Sequence, residues 1–223
     1  MCGRFVRTTA IECFAELFHA LGHPKNWASF NIAPSANVLV ARNNPQGTRE
    51  LAALKWGLVP AWSDEPKTAY STINARAETV AQKPAFRSAF RHRRCLIAAD
   101  GFYEWHPQPD GQKQPYFIYL KEHVPFAFAG IWEHWAQNGK TLDSCSIIVT
   151  AANSLMQPIH ERMPVILSPD QYDAWLDPAV TDPEWLQPLL VRYPSDKMQL
   201  HPVRTTVNSP RHEGPELIEE VAV

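Results

Sequence analysis

CLIAADGFYEW, residues 95–105, holds two kinds of sequence side by side. Its first half, CLIAA, is an unbroken apolar run. Five residues are too few for a helix, so the run reads as a buried strand. Its second half places Asp100 and Glu104 among the aromatics Phe102, Tyr103 and Trp105. Packing alone does not account for two carboxylates there.

The first kind recurs along the chain. Residues 37–42 (NVLVAR), 51–58 (LAALKWGL), 115–120 (PYFIYL), 125–131 (PFAFAGI), 145–150 (CSIIVT) and 198–204 (MQLHPVR) all read as strands. Helices are fewer. TAIECFAELFHALG (9–22) has apolar positions near a period of 3.6, a capping-box pattern at Thr9 and Glu12, and Gly22 as a stop. Residues 83–93 suit a short helix. SPDQYDAWL (168–176) and DPEWLQPLL (182–190) each open on a capping residue followed by proline, and Pro188 truncates the second. The prolines are spread out, with no linker and no repeat. The expectation is one α+β domain, with an antiparallel sheet or barrel-like core and peripheral helices. The last ten residues read as a loose tail.

Composition narrows the classes. The chain has 223 residues, 45% hydrophobic and 20% charged, enough for a globular core. No apolar run approaches the ~20 residues of a membrane span. No basic flank precedes an apolar stretch at the N-terminus, so the expected location is the cytoplasm, with reduced cysteines. Cys2, Cys13, Cys95 and Cys145 form no C-x-x-C pair, and no H-E-x-x-H occurs, so no metal is expected. Residues 1–110 carry 13 Lys/Arg against 9 Asp/Glu, whereas residues 111–223 carry 8 against 14. A basic first half permits a nucleic-acid face without requiring one.

The second kind of sequence occurs in four places. MCGRF (1–5) puts Cys2 where removal of Met1 would expose a thiol and an α-amine on adjacent carbons. TINARAET (72–79) alternates Asn74, Arg76 and Glu78 with small residues, and nothing apolar beyond Ile73 argues for a strand. ADGFYEW (99–105) carries Glu104. TAAN…IHERMPVIL (150–167) places His160 and Arg162 before an apolar run. Taken singly, each has a plain structural reading: Asn74 as a turn cap, Glu104 as a rim carboxylate, the arginines as surface ion pairs, Trp56, Trp62 and Trp132 as core.

Taken in order, MCGRF, FNIAP (30–34), WGLVPAW (56–62), INARAET, ADGFYEW, PYFIY, the TAAN segment and IHERMPVIL resemble the SRAP family (SOS-response-associated peptidase). The likeness runs over residues 1–210, leaving 211–223 as an acidic tail. It implies the family's fold and a covalent bond between a mature N-terminal Cys2 and the ring-opened aldehyde of an abasic site in single-stranded DNA. It implies Glu104 as general acid/base, and Asn74 and His160 as contacts to the sugar. Arg4, Arg76 and Arg162 would hold phosphates, Trp62 would stack on a base, and Asn31 and Pro34 would line the same groove. Ser63 departs from the family, whose members often carry a second bulky residue there. No cofactor and no membrane are implied, and a nucleoid-associated monomer suffices. Two other classes stay open: a Cys2–His160 peptidase, and a non-covalent reader of modified bases that would not need Cys2.

Overall fold

The computed structural model describes residues 2–25, 28–67 and 69–222. Met1, whose removal the sequence reading requires, lies outside them. In chain order the strands are β1 (Phe5–Arg7), β2 (Ser29–Ile32), β3 (Asn37–Asn43), β4 (Arg49–Trp56), β5 (Asn74–Arg76), β6 (Arg94–Ala99), β7 (Gly101–Pro107), β8 (Lys113–Leu120), β9 (Phe126–Gln137), β10 (Lys140–Ala151), β11 (Arg162–Pro164), β12 (Ile166–Leu167) and β13 (Met198–Pro202). The helices are α1 (Ile11–Leu17), α2 (Arg87–His92), α3 (Tyr172–Leu176) and α4 (Pro183–Leu186).

Strands β4, β3, β6, β9 and β10 pair in sequence, and β10 returns to β4, closing a ring. The apolar runs explain why. Strands buried on both faces read as continuous hydrophobic stretches, and β6 is buried throughout. Where β9 and β6 face each other, Gly130 leaves room for Cys95; an added Cβ would sit 2.8 Å from its Sγ. A second sheet, ordered β13-β8-β7-β1-β2, packs on the ring.

Three layers of core follow from strand alternation. Phe5, Phe102 and Ile118 of the second sheet meet Val40, Ile97, Phe128 and Ile147 of the ring. The other face of the ring buries Phe14, Phe18, Phe90 and Trp175 from the helices. The outer face of the second sheet, with Val6, Tyr103 and Phe117, is covered by Val203, Val207 and Leu217.

The helices are shorter than the sequence suggests. Helix α1 spans Ile11–Leu17 and its N-cap is Ala10, with no side-chain cap. The Thr9–Glu12 capping box does not form, because Asp100 takes Thr9: the Thr9 hydroxyl donates to Oδ1 at 2.6 Å and its N–H to Oδ2 at 2.9 Å. Helix α2 occupies only Arg87–His92 of the expected 83–93. Asp182 caps α4 through the Glu184 N–H, and the α-helix ends at Leu186, before Pro188. Ser168 and Gln171 form a capping box ahead of α3.

The closing segment is not loose. Leu217 is 1% exposed. The Ile218 carbonyl lies 2.8 Å from His201 Nε2, and the Val221 N–H donates to the Pro202 carbonyl at 3.0 Å. Acidity predicted a solvated tail, but one buried leucine and edge hydrogen bonds dock it.

Candidate functional site

TINARAET folds as a strand although its side chains gave no such sign. β5 runs parallel to β10, pairing Asn74 with Ile147 and Arg76 with Val149, just beyond the point where β4 leaves β10. The backbone ladder decides, and the one apolar residue inside, Ala75, packs on the helix-side core. Alternation then turns Asn74 to the inter-sheet side. Its Nδ2 donates to the Cys2 carbonyl at 2.8 Å. Its Oδ1 is buried and has no hydrogen-bond partner among the described residues.

Strand β1 delivers Cys2. It pairs with β2 on one side and with β7 on the other, Phe5 facing Phe102. Cys2 is fully buried in the inter-sheet core, its Sγ 3.9 Å from the Arg4 carbonyl oxygen. On β7, Phe102 faces that core and Tyr103 the outer one. Glu104 has the parity of Phe102 and is 3% exposed. Burial pushes the Glu104 carboxyl above its ordinary range. Burial, and then the Glu104 charge, push the Cys2 thiol upward. Residue 2 therefore presents a neutral thiol beside a carboxyl that keeps its proton to unusually high pH.

His160 and Arg162 arrive through a fork. Strands β9 and β10 stay paired as far as Gly130 and Ile147, then separate. Strand β11 continues on β10, β12 continues on β9, and Val165 bridges the Ile148 carbonyl and the Ala129 N–H. The apolar run MPVIL fills the split. Ahead of it, Asn153 is buried and caps the turn through the Met156 N–H, while its Nδ2 donates to the Tyr193 carbonyl at 2.7 Å. The Met156 carbonyl accepts from the His160 N–H. His160 Nδ1 accepts the Arg162 N–H at 2.9 Å, which puts the proton of the neutral ring on Nε2. The Arg162 guanidinium pairs with Glu78.

Arg76, Glu104, Trp105, Lys113, His160 and Arg162 line one cleft of about 610 Å³, with Asn208 and Glu161 at its wall. The sequence reading missed Trp105, Lys113 and Asn208. Trp105 stood in ADGFYEW only as a neighbour of Glu104; its indole N–H donates to Asn208 Oδ1 at 2.7 Å. Lys113 faces Pro107 across the β7–β8 pair, a register the sequence does not display.

The expected residues Arg4, Asn31, Pro34 and Trp62 do not line this cleft, and neither do Cys2 and Asn74. Arg4 donates to Asn31 Oδ1 at 2.7 Å and to the carbonyls of Val207 and Asn208 at 2.8 and 3.0 Å. Asn31 and Pro34 line a separate cavity of about 850 Å³. Trp62 is 67% exposed. Its turn is anchored by Ser63, whose carbonyl accepts from Trp135 Nε1 and Gln137 Nε2. Among the described residues no three His, Cys, Asp or Glu side chains converge as metal ligands, and no helix is long and apolar enough to cross a membrane.

A closed strand ring with a second sheet that presents residue 2 beside a buried carboxyl and a basic cleft defines a class. The chain belongs to the SOS response associated peptidase (SRAP) family, whose model matches residues 1–210. It is 44% identical to the abasic site processing protein YoqW of Bacillus subtilis, over 98% of this chain and 99% of that protein. It is 30% identical to the abasic site processing protein YedK of Escherichia coli, over 99% and 100% of the two chains. A crystal structure from Bacteroides thetaiotaomicron superposes with a TM-score of 0.88 at 24% identity, covering 99% of this chain and 100% of that one, a likeness of fold.

Proposed function

We propose that this chain processes abasic sites by binding single-stranded DNA as a monomer and bonding covalently to the ring-opened sugar through a mature N-terminal Cys2. The observation that carries the reading is the Asn74–Cys2 hydrogen bond of 2.8 Å. It holds residue 2 where Glu104 acts on it, next to a cleft with two arginines and a lysine. The names of the relatives support the same substrate.

The chemistry balances without a redox partner. After Met1 removal, the neutral α-amine of Cys2 attacks the aldehyde carbon, and the carbonyl oxygen takes up a proton. An α-amine titrates near ~7.7–8.0, so a useful fraction is neutral at physiological pH. Glu104, holding its proton to higher pH than an ordinary carboxyl, gives it to the departing hydroxyl, and water leaves an imine. The thiol sulfur adds to the imine carbon, its proton passing to nitrogen, and a thiazolidine closes. Aldehyde plus aminothiol gives thiazolidine plus one water. Asn74 Oδ1 and the Nε2–H of His160 are an acceptor and a donor for the sugar hydroxyls. Arg76 and Arg162 grip phosphates, and Arg4 braces the Val207–Asn208 segment at the cleft wall. Trp62 offers a stacking face, and Asn31 and Pro34 offer a second, separate groove for the strand. A Cys–His peptidase needs a depressed thiol, and this one is raised.

Intact-protein mass spectrometry tests the reading. A chain beginning at Cys2, incubated with a single strand bearing one abasic site, should gain the oligonucleotide mass less one water. Cys2→Ala and a chain retaining Met1 should gain nothing. A chain beginning at Cys2 that forms no adduct overturns the proposal.

A further inference from the structure

Glu78 is the part of TINARAET that the chemistry above leaves unused. Arg76 and Arg162 sit on β5 and β11, which flank β10 on opposite sides, Arg76 facing Val149 and Arg162 facing Ala151. Two strand spacings and a two-residue offset along β10 place their backbones about 12 Å apart. Both guanidiniums line the cleft, so two like charges share one wall. Glu78 lies just past β5 and pairs directly with Arg162. Partial burial works against its ionisation, but its own backbone N–H, the Arg162 hydrogen bond and the charges of Arg162 and Arg76 hold its carboxyl below the usual range. A carboxylate in contact with one arginine and in the field of the other is ionised throughout the working pH range.

We infer that Glu78 is a positioning residue for the phosphate grip: it fixes the Arg162 guanidinium against the β5 end so that both arginines meet one DNA backbone. The inference rests on the DNA-binding reading above and deepens it. An arginine held on one edge by a carboxylate keeps its remaining N–H donors in a fixed plane, and less side-chain entropy is lost when phosphate arrives. The opposing effect is Coulombic, since Glu78 also repels phosphate. The two effects separate by substitution. Glu78→Gln removes the charge but keeps an oxygen that accepts from Arg162. Glu78→Ala removes both.

The test is the affinity of the whole chain for an undamaged single-stranded oligonucleotide, which binds without reacting, at several salt concentrations. Glu78→Gln should bind at least as tightly as wild type. Glu78→Ala should bind about threefold to fivefold more weakly than Glu78→Gln, the scale of one net hydrogen bond. Side-chain exposure of 50% at Glu78 predicts that both variants fold, which melting curves check. Equal affinity of the two variants overturns the positioning role and leaves DNA binding intact. If wild type itself does not bind the strand, the DNA-binding reading falls and this inference falls with it.

Discussion

Replacing Asn74 by alanine isolates the contact on which the site depends. Asn74 Nδ2 donates to the Cys2 carbonyl at 2.8 Å, and both groups are buried. Truncation leaves that carbonyl without its donor inside the protein, a loss of about 1–3 kcal/mol. If the bond holds residue 2 in its reacting position, the same energy appears in the barrier, and crosslinking slows by about 5-fold to 150-fold. Asn74→Asp should be slower still, because a carboxylate oxygen would face the Cys2 carbonyl and add charge close to Glu104. The assay is single-turnover crosslinking at saturating abasic single strand, which removes any effect on binding, with a urea melt on each variant beside it. Asn74→Ala that is folded and crosslinks within about twofold of wild type would refute the argument, since the hydrogen bond would then serve stability alone.

Two further outcomes follow from groups whose burial is known. Glu104 binds its proton more tightly in the native state than in the unfolded chain, so stability falls as pH rises from the ordinary carboxyl value of 4.5 through the raised native value, and levels off above it. Glu104→Gln lacks this dependence, and urea melts across that range should show its advantage over wild type growing with pH; a constant difference would contradict the burial argument. Leu217→Ala should lower stability by about 2–5 kcal/mol, as for a core leucine, whereas an undocked tail would leave the urea midpoint within about 0.5 kcal/mol of wild type.

Most of the strands that could be read in advance are rich in apolar side chains on both faces. CLIAA and CSIIVT lie at the centre of the ring, and no other structure would bury them. Two of the strands that carry the candidate site, β5 and β7, were not legible. In β5 the pairing is made by backbone groups against β10, and the side chains that pattern arguments use are polar or small. In β7 both faces are aromatic, because one faces the ring and the other lies beneath the C-terminal segment, so the usual alternation of apolar and polar residues is absent. Cys2, Asn74, Arg76, Glu104, His160 and Arg162 were still nameable as odd residues in otherwise structural stretches, whereas Trp105, Lys113 and Asn208 were not. The contacts between them were not, since Cys2 meets Asn74 only through the register of strands far apart in sequence. Thr9 is the instructive error: its local partner Glu12 was plausible, but a distant carboxylate, Asp100, bound it first.

The complete burial of Cys2 sets a clock during synthesis. Strand β1 gains its β7 partner only after the chain has been made as far as Phe102. At about 5–20 residues per second, that takes roughly 5–20 s. Throughout that interval the first residues hang in solvent, open to an aminopeptidase. Once β7 docks, Cys2 is enclosed, so the proposed reaction through its amine requires that Met1 be removed while the N-terminus is still accessible. Under the proposed function, methionine removal and β-sheet closure are in a race. A chain that folds before it is trimmed would be well folded and chemically mute, so overproduction that outruns the aminopeptidase should yield a mixture in which activity tracks the trimmed fraction.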